Sequence, residues 1–526
     1  MERAGLAPGL LRPLRLAWRL LAIARSLARH DALAPLEEAG IAPGVVWLAR
    51  LVSRSRAEGR PGQKVARALT ELGPSFIKLG QFLSTRADLL GEQLAADLSE
   101  LQDRLPPFSS AEARRTIEAE LGRPVEELFA NFDDTPVSAA SIAQVHFAVT
   151  PTAEGQASED VAVKVLRPGI ERAFARDLEL FYALAALTER AQPKLRRFKP
   201  VEVVGVFEAT VRIEMDLRME AAAASELAEN FAGDPSYWVP QVDWQRSSRR
   251  VLTASQLTGI PLDDRDALLA AGHDLEEVLT KAATIFFKQV FRDGFFHGDQ
   301  HPGNMSVDRE GNIVAVDFGI MGRLDRRTRC YLADMLLATL ARDYRRLAEV
   351  HVEAGYLPPG EALDTFAQAL RSVCEPIFGR SLNDISFARL LAQLLQLTES
   401  FNMPVQPQLL LLQKNMLMAE GVSRRLDPTL NIWLLAQPLI ENWMRENRGP
   451  EARLRDATQD LARTLERLPG TLADLERAAA DLATYGLKLH PETIKAFGAE
   501  RNGEGVSRWA LWIALAALAV AVAAVL

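Results

Sequence analysis

The chain has 526 residues, a formal charge of −8, 48% hydrophobic and 25% charged residues. Its isoelectric point lies near 5.6. That length exceeds one ordinary domain, and the composition supports large packed cores rather than long disorder. The acidity, with no dense basic stripe carrying interleaved aromatics, argues against nucleic acid as a partner. Cys330 and Cys374 stand far apart without metal-ligand spacing. They read as ordinary buried thiols in a reducing compartment, not as a disulfide framework.

The chain begins with a basic amphipathic stretch. "GLLRPLRLAWRLLAIARSLAR" (9–29) carries Arg12, Arg15, Arg19, Arg25 and Arg29 and no acid, while Leu10, Leu14, Trp18 and Leu21 gather on another helical face. Arginines interrupt each apolar stretch, which argues against a signal peptide. Two readings stand side by side: a helix lying on anionic lipid, or one packed on the body with a solvated arginine face. The composition also resembles a mitochondrial transit peptide. Residues 62–105 then read as helices broken at "ELGP" and "LLGEQ", and a helix over 109–121 follows Ser109 and Ser110 as cap candidates. The period changes at "SIAQVHFAV" (141–149) and "DVAVKVL" (160–166), two strands flanking the polar loop "TPTAEGQASE" and predicting a hairpin. Helices are expected over 171–190 and 201–232, and a strand over 249–255. Residues 262–470 read as almost wholly helical, interrupted by "FFHGDQHPGN" (295–304) and by a strand over 312–319. At the C-terminus, "WALWIALAALAVAVAAVL" (509–526) is free of charge. As a helix it spans about 27 Å, just short of a hydrocarbon core of about 30 Å. Trp509 and Trp512 stand where interfacial aromatics belong, after Arg508. The reading is a tail anchor leaving the body on the cytoplasmic side; its rival is an Ala-rich helix buried in a soluble core.

Side chains alternate along a strand, so Val161, Val163 and Val165 share one face of "VAVKVL" while Ala162, Lys164 and Leu166 share the other. A lysine among apolar neighbours on a buried strand needs an anion. Asp299 and Asn304 are five apart, and Asp317 ends a strand thirteen residues after Asn304. Phosphoryl transfer needs metal to neutralise developing charge and a group to position the acceptor. An Asn and an Asp supply hard oxygens for Mg²⁺, and a second Asp stands beside the acceptor hydroxyl.

These residues resemble the protein-kinase-like superfamily, with its strand lysine, catalytic loop and DFG. His297-Gly298-Asp299 replaces His-Arg-Asp, and "HGDQHPGN" also resembles aminoglycoside-kinase-type phosphotransferases. No Ala-Pro-Glu follows Asp317. "FIKLGQFLSTRADLL" (76–90), "PVSAASIAQVH" (136–146) and "RIEMDLRMEAAAASEL" (212–227) narrow the resemblance to the UbiB family, the aarF-domain-containing atypical kinases of ubiquinone biosynthesis, over about 65–325. The family's signatures are KxGQ (Lys78, Gln81), an alanine-rich loop (Ser138, Ala139, Ala140, Ser141) and ExD (Glu214, Asp216).

The resemblance implies an α+β, atypical protein-kinase-like two-lobed fold with a helical N-terminal KxGQ extension and a C-terminal transmembrane helix. The expected units are 1–60 (basic, membrane-proximal), 61–135 (KxGQ extension), 136–255 (N-lobe), 256–440 (helical C-lobe), 441–508 (helical tail) and 509–526 (anchor). By the same resemblance, Lys164 binds ATP phosphates and pairs with Glu220, Asn304 and Asp317 hold Mg²⁺, and Asp299 sits at the catalytic-base position. Lys78 and Gln81 share a helical face and guard the site, with Glu214 and Asp216 as countercharge. Alanine and serine in place of glycines restrict the phosphate loop, although its N–H groups and serine hydroxyls are expected to remain available. The implied role is ATP binding and slow hydrolysis in support of ubiquinone biosynthesis, through polyprenyl quinone intermediates or the enzymes that modify them. Membrane lipid is the expected partner, with a homodimer open, at the bacterial inner membrane rather than the mitochondrial one. The rivals are a small-molecule or lipid phosphotransferase and a non-catalytic nucleotide-sensing scaffold.

Overall fold

The computed structural model describes residues 19–32 except 21, 59–84, 90, 92–99, 101, 105–152, 157–191, 196, 199–358, 360, 362–378 and 406–427, with isolated residues between 393 and 446. The chain divides into two units, 1–444 and 445–526. Of the second, only Arg445 and Glu446 are described. The predicted anchor at 509–526 lies outside the described residues, as does nearly all of the 441–508 tail. Among the described residues, no helix is long and apolar enough to cross a membrane.

The predicted break at "ELGP" separates α1 (Pro61–Leu72) from α2 (Pro74–Ser84), with Pro74 at the first position of α2, where its missing N–H costs nothing. With α3 (Glu92–Ser99) these helices bury Ile77, Leu98 and Leu101. A Cβ on Gly80 would lie 2.5 Å from Leu101 Cδ1 and 2.8 Å from Leu69 Cδ1, so the glycine of KxGQ permits close helix packing. Residues 22–29 form a helical segment against α1: the Ser26 hydroxyl donates to the Ala68 carbonyl (3.2 Å), and Arg29 and His30 meet Glu71. Arg19 forks onto the buried Asp177 with two contacts of 3.1 Å. Of the two readings of the basic segment, the described residues follow the packed one, with Arg25 left exposed. Arg12 and Arg15 fall outside them.

Ser109 caps α4 (Ser110–Leu121) by accepting from the Glu112 N–H, and α5 (Val125–Leu128) follows. Then come β1 (Asn131–Phe132), β2 (Ser138–Ala139), β3 (Ala143–Val149), β4 (Asp160–Leu166), α6 (Ile170–Ala191), α7 (Pro200–Glu214), α8 (Leu217–Asn230), β5 (Tyr237–Trp238) and β6 (Val251–Ser255). The N-lobe sheet runs β1-β3-β4-β6, with β2 paired to β3. The predicted hairpin is β3–β4, antiparallel, with Val149 opposite Asp160 and Val145 opposite Lys164. Val161, Val163 and Val165 are 2%, 0% and 0% exposed and pack with Ile117 and Leu128. Each such burial contributes about 1.5–3 kcal/mol. That face is pinned to the core, so Lys164 must point from the other. Helices α6 and α7 meet α2 through Phe76–Phe181, edge to face at 5.1 Å, and Phe82–Phe207 at 5.5 Å.

The single helix expected over 201–232 is two. Asp216 adopts extended backbone (φ −119°, ψ 92°), and its side chain accepts from the Arg218 N–H. Aspartate is poor inside a helix and favoured as an N-cap, so the ExD motif ends α7 and starts α8.

The C-lobe contains β7 (Ile260–Pro261), α9 (Arg265–Ala270), α10 (Leu275–Phe287), a π-helical turn over 288–293, β8 (Phe295–His297), β9 (Met305–Val307), β10 (Ile313–Ala315) and β11 (Met321–Arg323). α11 (Arg326–Leu340), α12 (Tyr344–Glu353), α13 (Leu363–Phe378) and α14 (Pro407–Leu426) complete it. A four-stranded sheet, β5-β10-β9-β7, and the pair β11-β8 break up the nearly continuous helix expected from 262. Each of those strands has two or three residues, too few to show a period of two.

Gly294 ends the π-helical turn at φ 67°, and a Cβ there would sit 2.4 Å from the Leu324 carbonyl oxygen. Gly122, at φ 69°, has open space around it. Gly122→Ala should therefore cost about 1 kcal/mol, and Gly294→Ala at least about 2 kcal/mol because the backbone contact adds to the left-handed strain. Denaturant titration checks the order; equal losses would show that the Leu324 carbonyl yields freely.

Candidate active site

Lys164 extends from β4 to the carboxylate of Glu220 on α8, with contacts of 2.7 and 2.9 Å, and to Asp317 Oδ1 at 3.2 Å. Burial alone would lower the lysine pKa. Asp317 and Glu220 outweigh it and hold the ammonium protonated above the ordinary lysine range. Asp317 sits just past β10 with φ 62°, a left-handed conformation that aspartate tolerates better than most residues. The Lys164 charge, assisted by Lys78, holds its carboxyl down to about 2. Its side chain is nevertheless 53% exposed, against 9% for Glu220.

Lys78 on α2 lies 3.0 Å from Glu214, with both side chains largely buried at 13% and 12% exposure. Its charge also lowers the Asp317 pKa, so the KxGQ lysine stands at the edge of the Lys164 cluster. Gln81 lies one turn further along α2, half-buried. Asp216 does not simply duplicate Glu214 as countercharge: its carboxylate is engaged by Arg218 at 2.6 Å while it caps α8.

The catalytic loop hangs between two anchors. His297 on β8 is fully buried. Its Nδ1 accepts from the Asp299 N–H (3.0 Å), and its Nε2–H donates to the Val316 carbonyl (3.4 Å). At the other end, the Asn304 amide nitrogen donates to the Asp299 carbonyl (3.1 Å), which leaves its oxygen as the donor atom for a cation. The Val316 N–H donates to the Asn304 carbonyl (2.9 Å), tying the loop to the residues before Asp317. Among the described residues no three His, Cys, Asp or Glu side chains converge as a metal cage. One amide oxygen and one open carboxylate instead fit the kind of donor set that a Mg²⁺ sharing its ligands with phosphate uses.

The alanine-rich loop is more closed than expected. The Val137 N–H donates to the Val145 carbonyl (2.9 Å) and the Ala140 N–H to the Ala143 carbonyl (2.8 Å). Arg167 donates to the Ala140 carbonyl at 3.1 and 2.8 Å. Ser141 is 0% exposed, and Ala139 is paired within β2. Of the expected phosphate-facing groups, Ser138 is the one exposed to solvent. Without glycine the loop folds onto its own hairpin, which satisfies these donors internally.

The helix at α14 was expected, but sequence reasoning missed that it reaches the catalytic loop. Lys414 Nζ lies 2.8 Å from Asp299 Oδ1. Asn415, fully buried, donates to the His297 carbonyl (2.5 Å) and accepts from the Gln300 N–H (3.2 Å). The only signal was three polar residues, Gln413, Lys414 and Asn415, inside "LLLLQKNMLM". Below this clamp, an apolar cavity between α10 and α14 is lined by Leu279, Phe286, Met416 and Val422, and also by Gln300.

Buried histidines give the molecule an acid limit. Burial lowers the pKa of His146, His297 and His351 below the ordinary histidine value. The unfolded chain therefore takes up protons first as pH falls through about 6.5, and stability drops from there toward the depressed folded values. Asp317 acts lower: its contribution is complete above about 4 and is lost as pH falls toward its folded value of about 2. Tm should begin to decline as pH falls below about 6.5, above the ordinary carboxylate range. A flat profile between about pH 7 and 5 would contradict neutral buried imidazoles.

The solved complex of Rv3197 with erythromycin from Mycobacterium tuberculosis aligns at TM-score 0.45 and 25% identity, over 68% of this chain and 94% of that one. The probable protein kinase UbiB of Marinobacter nauticus is 46% identical over 412 residues, 78% of this chain and 74% of that protein. Its namesake from Azotobacter vinelandii is 44% identical over 436 residues, 82% of this chain and 79% of that one. Residues 100–351 match the ABC1 atypical kinase-like domain, and residues 370–431, which include α14, match the UbiB helical domain. With both domains present in order and such identity over most of its length, the chain belongs to the UbiB family of atypical kinase-like proteins.

Proposed function

We propose that the chain binds Mg²⁺-ATP in the cleft around Lys164 and turns it over at a membrane surface, in support of ubiquinone biosynthesis. The observation that carries this reading is the Lys164 ammonium shared between Glu220 and Asp317, 2.7 and 3.2 Å away. A cation held between two lobes, beside an open low-pKa carboxylate, is the arrangement that receives polyphosphate. Membership of the UbiB family implies the biosynthetic role.

In this reading Lys164 binds the α/β-phosphates while Glu220 keeps its side chain oriented. Asn304 and Asp317 would hold Mg²⁺, which supplies charge neutralisation on the phosphates when bound. Asp299 orients the attacking oxygen and receives its proton, and its backbone is kept in place by His297. Lys78 and Gln81 screen the cleft from a peptide. The same screening, and the closed alanine-rich loop, support slow hydrolysis over fast protein phosphorylation. The apolar cavity behind Gln300 supports an apolar ligand such as a polyprenyl intermediate. The apolar 509–526 tail supports attachment to the bacterial inner membrane with the body on its cytoplasmic side.

A second reading, a small-molecule or lipid phosphotransferase, is favoured by the turn after β11. Leu324 and Asp325 alone separate it from α11, so no long segment is present there to dock a peptide.

The test is [γ-³²P]ATP with the full chain in liposomes, with and without polyprenyl-phenol mimics. The expected result is free phosphate that rises with the mimic and is lost in Asp317→Asn. Label on the lipid or the protein would establish the phosphotransferase instead, and nucleotide binding without turnover would leave a sensing scaffold.

A further inference from the structure

From His297 to Asn304 the catalytic loop reads "HGDQHPGN", without lysine or arginine. The carboxylate of Asp299 is nonetheless met by an ammonium, Lys414 Nζ at 2.8 Å, from 115 residues further along the chain. The next residue, Asn415, holds the loop on both sides of Asp299 through the His297 carbonyl and the Gln300 N–H. Successive residues of α14 thus hold loop residues 297, 299 and 300. The helix that carries them is itself secured: Leu412 packs with Phe286, Phe287 and Phe291, Val422 and Leu426 join the core of β9 and β10, and the Leu426 carbonyl accepts from Arg265 (3.0 Å).

We propose that Lys414 is a positioning residue of the phosphoryl-transfer site, its ammonium holding the Asp299 carboxylate in the orientation from which it engages the attacking oxygen. This rests on the Mg²⁺-ATP reading above. Three facts separate the assignment from a surface ion pair. Lys414 and Asp299 are 33% and 29% exposed, so the pair stands partly withdrawn from water without being sealed. An ion pair at that exposure contributes little to stability, so global stability does not account for it. And its backbone neighbour Asn415 is completely buried, so Lys414 reaches Asp299 from a rigid base rather than from a mobile surface helix. With its backbone held by His297 and Asn304 and its carboxylate by Lys414, Asp299 has few rotamers left. Restricting a group to its reactive geometry is a recognised source of rate.

The experiment compares wild type, Lys414→Met and Lys414→Arg as full-length proteins in liposomes, measuring kcat and KM for Mg²⁺-ATP together with Tm. Lys414→Met should lower kcat by about 100-fold, the cost of a misplaced group, with KM and Tm close to wild type. Lys414→Arg, which keeps a cation on the same helix, should recover most of the loss. Unchanged kcat in Lys414→Met, or a loss that follows Tm and is not restored by arginine, overturns the assignment while leaving the wild-type turnover in place. Wild-type protein that binds nucleotide without turnover overturns the Mg²⁺-ATP reading and this inference with it.

Discussion

A buried ammonium has to be neutralised where it stands, and the arrangement around Lys164 follows from that requirement. The valine face of β4 is buried, so the lysine can emerge only from the opposite face, toward α8. Glu220 is there to receive it because Asp216 starts α8 in the right place. Asp317 completes the neutralisation from the other lobe, at the cost of a left-handed backbone. Burial already pushes the Glu220 pKa up, so removing the lysine would leave that carboxyl unpaired and nearly fully buried, a loss of about 3–5 kcal/mol for such pairs. The pair is therefore structural and chemical at once, and the lobes are registered against each other through it.

Charge is distributed unevenly in this cluster. Lys164 and Lys78 face Glu220, Glu214 and Asp317, so one negative charge is in excess. It resides where solvent reaches: Glu220 and Glu214 are 9% and 12% exposed, and Asp317 is 53%. The two buried acids are committed to lysines, and the open one remains for an incoming cation. That division leaves two paired lysines and one open carboxylate side by side. A carboxylate held down to about 2 stays ionised through any physiological pH, so metal binding there would not compete with protons.

The strongly periodic and strongly chemical parts of this plan were legible in the sequence. The Val161–Val165 alternation gave β4 and its face, the polar loop at 150–159 gave the hairpin, and Ser109 gave a cap. Glu220 was legible only through its spacing from Glu214 in a family signature. Other features were not, for physical reasons. Asp216 breaks a helix whose flanks are both helical in pattern, and one capping residue does not interrupt a periodicity. β7 to β11 are too short to carry an alternation. The phosphate loop was read from the freedom that alanine lacks, whereas its state depends on where Val137 and Ala140 donate. Lys414 was invisible because its meaning lies in a contact across 115 residues, and a lysine on an otherwise apolar helix reads locally as a solvated charge.

Two helices outside the kinase-like family match each place a lysine on an acid of the cleft. Lys78 comes from α2, beyond the N-terminal limit of the kinase-like family match, and Lys414 from α14, beyond its C-terminal limit. The catalytic centre is thus completed by segments that the kinase-like domain alone does not contain. Each tie is a charge-assisted hydrogen bond, stronger at the largely buried Lys78–Glu214 pair than at the partly exposed Lys414–Asp299 pair. A change that shifts α2 would alter the electrostatics of Asp317, and one that shifts α14 would alter the orientation of Asp299. α14 also walls the apolar cavity, and α2 packs against the basic N-terminal helix. The helices flanking the kinase-like match therefore both reach the acids of the cleft, α2 through Lys78 and α14 through Lys414 with Asn415 beside it.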